Sequence, residues 1–213
     1  FSNLENKESP TWLKNRLLAV DQRPISSIVD ITNYIMIDLG RPLHAYDIEK
    51  IKGDCLTIKM SKKGDEFHAL NGNVYELDEG MLVISDTHGV DDLAGIMGGE
   101  RTGVTESTTK MFLEAAIFDP ISIAKTGRKL NINSDARYRF ERGLDYESPE
   151  FVMNYAVSMI QKICGGNVSK VVSLEQNHLT KKIKFDPNTT FKLTGVNIKN
   201  EFSKKILKKL GFQ

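Results

Sequence analysis

The sequence has few cysteines and lacks long apolar runs, and these absences exclude several classes of protein. Its 213 residues include two cysteines, Cys55 and Cys164, which lie far apart along the chain. Two isolated cysteines do not make a disulfide scaffold, and no cysteine or histidine has the spacing of a zinc site. No apolar run reaches the roughly 18 residues that a membrane-spanning helix needs. We therefore predict a cytoplasmic protein with no metal site and no membrane segment.

A strong charge of one sign is also missing. Lys and Arg total 29 against 28 for Asp and Glu, so composition gives no general signal for a polyanion partner. The opening residues have neither a basic stretch followed by an apolar one nor an initiator methionine, so we expect no signal peptide and a fragment of a longer protein. The apolar fraction of 40% is ordinary for a chain with a real core.

The glycine-rich stretch 93–100 does not have the composition of a phosphate-binding loop. It contains Gly95, Gly98 and Gly99 but no Lys-Ser or Lys-Thr pair where such a loop needs one. Glycines permit close approach of a ligand or of another part of the backbone. A ligand-binding loop and a bulged strand with a tight turn both fit this pattern.

Local signals predict an alternation of helices and short strands. Gly40 is predicted to end the second helix, and the pair Asn71-Gly72 to turn a hairpin. Asp119 and Pro120 are predicted to begin a further helix, and Ser148 with Pro149 to cap the next one. Helices are predicted from residue 10, over 25–39, from 119, over 148–163 and over 202–210. Strands are predicted over 56–61, 66–70, 74–77, 81–85, 111–118 and 168–174.

Glu114 lies within the apolar strand predicted over 111–118. A carboxylate there is costly to bury unless it has a partner, so a functional acid and a salt-bridged or edge residue are both open interpretations. Downstream, Arg137, Arg139 and Arg142 either form a polyanion-binding rim or pair with neighbouring acids on a solvated face.

Several motifs, in this order and spacing, resemble the β subunit of bacterial phenylalanyl-tRNA synthetase over its B3/B4 region. The segments are 23–25 (RPI), 29–34 (VDITNY), 40–47 (GRPLHAYD), 94–100 (AGIMGGE), 113–116 (LEAA) and 137–143 (RYRFERG). Together with the element order, the resemblance implies an α+β fold with mixed β-sheets and flanking helices, a B3/B4-type three-layer (ββα) sandwich. The domains expected are an N-terminal helical linker over 1–24, the B3/B4 editing domain over 25–175 and the start of a truncated B5 domain over 176–213.

In that family the B3/B4 region hydrolyses tyrosine that has been wrongly esterified to tRNA(Phe). The resemblance therefore implies that Glu114 recognises the tyrosine phenol, because phenylalanine would leave a buried carboxylate unpaired. Gly95 and Gly98 are expected to line the amino-acid pocket. His44 and Asn33 are expected to orient the hydrolytic water or the ester. His44 either acts as a general base or only holds the tRNA terminus while a ribose hydroxyl assists.

Four further residues are expected to bind the substrate by the same resemblance: Arg23, Thr32, Ser134 and Ala136. Ala136 is expected to form a small wall that leaves room for the ring. Ser134 stands where the family usually has threonine, which keeps the hydroxyl but removes a methyl group.

The resemblance also implies partners that this chain does not contain. These partners are tRNA(Phe) and an α subunit, which joins the β subunit in an (αβ)2 assembly. The α subunit carries the ATP site with its Mg2+. No cofactor is expected in the chain itself. Two other interpretations are an architectural module with an inactive pocket and a stand-alone editing or amino-acid-binding protein. The lysine-rich stretch from residue 177, with nine Lys and two acids, resembles the start of another domain and disfavours the stand-alone protein.

Overall fold

The computed structural model describes residues 1–174 and 182–212. The chain divides into two compact units, Phe1–Leu174 and Glu175–Gln213. The expected boundary between 175 and 176 falls outside the described residues. The second unit contains helices α6 (Pro187–Thr194) and α7 (Asn200–Lys209), and Asp186 caps the first of these by accepting a hydrogen bond from Asn188 N.

Five α-helices belong to the first unit, and their ends follow the local signals. They are α1 (Thr11–Leu18), α2 (Ser27–Leu39), α3 (Pro120–Lys129), α4 (Asp135–Phe140) and α5 (Ser148–Cys164). Gly40 ends α2 in the left-handed conformation at φ 70°, which glycine adopts without steric cost. Asp119 caps α3 by accepting from Ser122 N at 2.7 Å, with Pro120 at the first helical position.

The strands of this unit are short and their pairings are antiparallel. They are β1 (His44–Asp47), β2 (Thr57–Met60), β3 (Asp65–His68), β4 (Val74–Leu77), β5 (Leu82–Ser85), β6 (Val90–Leu93), β7 (Met97–Gly98) and β8 (Met111–Glu114). They form a β1–β8 ribbon, a four-stranded sheet in the order β2-β5-β6-β7 and a β3–β4 hairpin. The hairpin turns at Asn71-Gly72 as predicted, with Gly72 at φ 79°.

Two hydrophobic clusters form the core of the first unit. The first joins α1, α2 and α5, and includes Leu4, Leu13 and Leu17 from the stretch expected to be a linker. The second lies among the β-strands, α3 and α4. The β1–β8 ribbon contributes to both, because Ala45 belongs to the first cluster and Tyr46 to the second. Side chains that alternate along a strand face opposite sides, so the ribbon separates the two clusters.

The α+β class is confirmed, and two local predictions are corrected. The strand predicted over 111–118 ends at Glu114, after which 115–119 leads into α3. The segment 168–174 carries no strand, although Asn167 makes an isolated bridge with Ser2. Within the described ranges, no helix is both long enough and apolar enough to cross a membrane.

Candidate functional site

The β1–β8 ribbon places His44 directly opposite Glu114. The register pairs His44 with Glu114 and Tyr46 with Phe112. Residues two apart on a strand share a face, so Tyr46 is the diagonal neighbour of Glu114 on the same side. The rings of His44 and Tyr46 meet edge to face, with centroids 4.3 Å apart. This register brings an imidazole, a phenol and a carboxyl group together at one end of the ribbon.

Strand β6 adds a second carboxyl group, that of Asp92. The Tyr46 hydroxyl lies 3.2 Å from Glu114 Oε2 and 3.3 Å from Asp92 Oδ2, within hydrogen-bonding distance of both. Asp92 is 5% exposed, and Glu114 is partly buried. A pair of acids with so little water around them is the feature that sets the electrostatics of the site.

Burial raises the pKa of both acids. It raises the pKa of Glu114 to about 7, despite the hydrogen bond from Tyr46. Burial, followed by the charge of Glu114, raises the pKa of Asp92 well above its ordinary value. The pKa of Tyr46 is also raised, first by burial and then by the two acids, so its hydroxyl keeps its proton. Near neutral pH the cluster therefore retains protons that exposed carboxyl groups would have released.

The imidazole of His44 fills the space beside Gly98, the residue that pairs with Asp92 between β6 and β7. A Cβ atom at Gly98 would collide with His44 Cε1. The Nε2 atom lies 3.5 Å from Asp92 Oδ2, and it makes no hydrogen bond to any residue in the described part of the chain. Burial lowers the pKa of His44 to about 4, so the imidazole is neutral at pH 7.

Gly95 occupies a tight position against the second cluster. Its φ of +69° disfavours other residues, and a Cβ there would lie 2.8 Å from Phe118 and 3.0 Å from Ile123. The two glycines expected to line one pocket therefore contact different neighbours, the imidazole at Gly98 and packed apolar side chains at Gly95.

Ser134 connects α4 to the glycine-rich segment. Its hydroxyl donates to Ile96 O at 2.6 Å and caps α4 by accepting from Arg137 N at 3.0 Å. Ala136 is partly buried and packs against the second cluster. The Ser134 hydroxyl thus fixes the position of α4 relative to the glycine-rich segment 95–98.

Three of the expected site residues are not joined to this group. Arg23 is exposed, Asn33 is partly buried on α2, and Thr32 Oγ1 donates to Val29 O within its own helix at 2.8 Å. For the residues that the structure describes, no hydrogen bond connects these three side chains with His44 or Glu114.

The arginine run of α4 pairs within the protein. Arg137 is buried and bonds Glu141 at 3.1 Å and Ile132 O at 2.7 Å. Arg139 pairs with Asp135 at 3.0 Å. Arg142, at the end of the run, pairs with Glu141 at 2.8 Å and covers the exposed ring of Tyr138 at 3.7 Å. These contacts agree with the second interpretation of the arginine run, in which its side chains pair with neighbouring acids.

Sequence reasoning missed Tyr46 and Asp92. Tyr46 could have been found from its place two residues after His44, which puts it on the same face of a strand. Asp92 carried a weaker signal, because it directly follows another acid, Asp91, and its partners are remote in sequence. Within 1–174 and 182–212, no group of three or more His, Cys, Asp or Glu side chains could hold a metal ion.

The fold is that of a B3/4 domain. Residues 1–165 match the B3/4 domain family, and the chain belongs to it.

More particularly, the chain is similar to β subunits of phenylalanine–tRNA ligases. It is 48% identical over 212 residues to the subunit of Paramagnetospirillum magneticum, covering 98% of the chain and 26% of the relative. It is 45% identical over 218 residues to that of Wolbachia sp. subsp. Brugia malayi, covering 100% of the chain and 27% of the relative. It is 49% identical over 172 residues to that of Rhodospirillum rubrum, covering 81% and 22%. The chain thus spans about a quarter of the length of these relatives, and the family resemblance of its motifs is confirmed.

Proposed function

We propose that the chain is the editing region of a phenylalanine–tRNA ligase β subunit, and that it hydrolyses the ester of tyrosine misattached to tRNA(Phe). The observation that carries this proposal is the placement of Glu114, a partly buried carboxyl group that lies opposite His44 and is hydrogen-bonded by Tyr46. The relatives named above support the ligase assignment, because the similarity extends over almost the whole chain.

Glu114 supplies the selectivity in this proposal. An ionised carboxylate can accept a hydrogen bond from the phenol of a bound tyrosine, and Glu114 still has a second oxygen beyond the one that Tyr46 contacts. Phenylalanine has no such donor, so its ester would place a ring edge against a buried charge and leave the second Glu114 oxygen without a hydrogen bond. A site of this kind removes the polar analogue and spares the correct product.

The assignment of His44 follows from its neutral state. A pKa of about 4 makes the imidazole a weak base at pH 7. Its buried Nε2 still has the capacity for one hydrogen bond. We therefore assign His44 to positioning the attacking water or the terminal ribose, rather than to removing the proton. Attack by water on the ester carbonyl then releases tyrosine and the ribose hydroxyl of the tRNA.

The remaining expected residues are assigned by their placement or by the family resemblance. Gly98 makes room for the imidazole, and Ser134 holds α4 with its Ala136 against the glycine-rich segment. Asn33, Thr32 and Arg23 are proposed to meet the ester and the tRNA terminus when substrate is bound. In the complete ligase, tRNA(Phe), an α subunit in an (αβ)2 assembly, and ATP with Mg2+ at the α subunit complete the function.

Deacylation of tyrosyl-tRNA(Phe) tests this proposal. The complete ligase and the 213-residue chain would be compared with their His44→Ala and Glu114→Ala versions. His68→Ala and Glu76→Ala are matched controls, since both residues are exposed on the β3–β4 hairpin. We expect both site variants of the ligase to lose deacylation at unchanged aminoacylation, and both controls to retain it. A wild-type ligase that leaves the ester intact would refute editing and favour the architectural module.

A further inference from the structure

One hydroxyl group lies between two buried acids. Tyr46 is within hydrogen-bonding distance of both Asp92 Oδ2 and Glu114 Oε2, at 3.3 and 3.2 Å. A phenol has one proton to donate and lone pairs with which to accept. It can therefore satisfy two ionised carboxylates only in part, since one of them would face its lone pairs.

The arrangement is satisfied when one acid is protonated. A neutral carboxyl group donates to the Tyr46 oxygen, and the Tyr46 proton is then free for the other, ionised carboxylate. This chain of hydrogen bonds also removes the repulsion between two negative charges held close together with little water.

Burial decides which acid keeps the proton. Asp92 is 5% exposed, and it comes from β6 within the four-stranded sheet. Glu114 is the last residue of β8 and retains partial exposure. Because the charged form loses more hydration at the more enclosed site, the neutral form is favoured at Asp92.

The charges around Asp92 also favour its neutral form. Asp91, adjacent on β6, is paired with Arg101, which also binds Asp86 at 2.8 Å. Arg101 is thus engaged by two other acids, and the charge of Asp91 further raises the pKa of Asp92. On β1, the neighbouring imidazole of His44 is neutral and offers no positive charge to Asp92.

We propose that Asp92 and Tyr46 are positioning residues of the editing site, with Asp92 holding the proton of the acid pair so that Glu114 is presented as a carboxylate to the substrate phenol. This proposal rests on the proposed function for its role in editing. The location of the proton can be measured without any activity.

Infrared spectroscopy of the chain locates the proton directly. One pH unit above the Glu114 pKa of about 7, we expect the carbonyl stretch of a protonated, buried carboxyl group in the wild-type chain. Incorporation of 13C-labelled aspartate should shift that band, and Asp92→Asn should abolish it. Asp38→Asn, at an exposed position of α2, is the matched control that should leave it in place. No such band, or a band that persists in Asp92→Asn and is lost in Glu114→Gln, overturns the proposal.

Three ligase variants test the positioning role. Asp92→Asn keeps a neutral side chain whose amide can donate to Tyr46, so we expect tyrosyl-tRNA(Phe) deacylation within about threefold of wild type. Asp92→Ala and Tyr46→Phe break the hydrogen-bond chain to a charged group, and should each reduce it by roughly tenfold or more. If Asp92→Asn is as defective as Asp92→Ala while the fold is retained, an ionised Asp92 is required and the proposal fails.

The two proposals fail in different ways. A wild-type ligase without deacylation refutes the editing function, whereas the infrared band still reports which acid holds the proton. An active ligase with the band assigned to Glu114 refutes only the role given to Asp92.

Discussion

The imidazole of His44 occupies the space that a Cβ atom at Gly98 would need. A methyl group there would collide with His44 Cε1, so Gly98→Ala must displace either the ring or β7. We expect tyrosyl-tRNA(Phe) deacylation to fall at least tenfold and stability to fall by about 1–3 kcal/mol, as in other overpacked sites.

Gly89→Ala is the matched control for this substitution. A Cβ at Gly89 meets nothing within 4 Å, and its backbone is not in the left-handed region. Both variants would be assayed for deacylation and for urea unfolding. Full activity in Gly98→Ala would show that the position of the imidazole does not matter.

Glu114 and His44 should make opposite contributions to the pH dependence of stability. Burial raises the Glu114 pKa from 4.5 to about 7, so the folded state binds more protons and stability falls as pH rises through that window. Burial lowers the His44 pKa from 6.5 to about 4, so the folded state binds fewer protons and stability rises with pH between those values. Each amounts to about 3 kcal/mol at 1.36 kcal/mol per pKa unit.

Substituting one group should therefore expose the contribution of the other. In the Glu114→Gln/Asp92→Asn double variant, which removes both buried acids, the free energy of unfolding should rise with pH between about 4 and 6.5, and in His44→Gln it should fall between 4.5 and about 7. Urea unfolding across this range measures both slopes. Identical profiles for wild type and both variants would mean that neither group is buried as described.

Ser134 should matter more for its hydroxyl than for its size. Ser134→Ala removes the cap of α4 and the bond to Ile96 O, and should lower the free energy of unfolding by about 1–2 kcal/mol. Ser134→Thr keeps both bonds and should be close to wild type. Ser107→Ala, in an exposed loop, is the control. Equal losses in the Ala and Thr variants would show that the hydroxyl bonds are not what stabilises this link.

Arg41 should be among the most sensitive positions for stability. Its guanidinium is buried and donates to Ala116 O at 2.7 Å, to Ser148 Oγ at 2.8 and 3.0 Å, and to Asp145 O. Arg41→Ala removes all of these hydrogen bonds from a charged, buried donor and should cost about 3 kcal/mol or more. A lysine has one donor group in place of the fork, so Arg41→Lys should recover only part of the loss.

Thermal and urea unfolding would measure both Arg41 variants. Arg128→Ala, on the exposed face of α3, provides an arginine control that should change stability little. An Arg41→Ala variant as stable as this control would contradict the role given to the buried guanidinium.

Sequence reasoning succeeded where a few adjacent residues determine the conformation. The cap at Asp119, the left-handed glycine that ends α2 and the turn at Asn71-Gly72 depend on neighbours within four positions. It was less accurate at Ser148, which was predicted to cap α5. The residue before that helix is Glu147, which makes no side-chain cap, and the Ser148 hydroxyl instead accepts from Arg41, 107 positions away.

The candidate site lay beyond local signals for the same reason. Tyr46 reaches Asp92 across 46 positions and Glu114 across 68. Alternation along a strand shows which residues share a face, but it does not identify the partner strand or its register. The motif resemblance named His44 and Glu114, and the pairing of β1 with β8 explains why they meet. Asp92 belongs to another sheet, so no periodicity connects it with them.

The ribbon that separates the two clusters has a consequence for how a substitution in one half of the unit affects the other. Ala45 and Leu113 belong to the helical cluster, whereas His44, Tyr46 and Glu114 lie on the side of the reacting groups. The helices pack against one set of ribbon side chains, and the carboxyl and imidazole groups belong to the other set. A substitution that alters packing in the helical cluster therefore reaches the acid pair through the backbone of the ribbon.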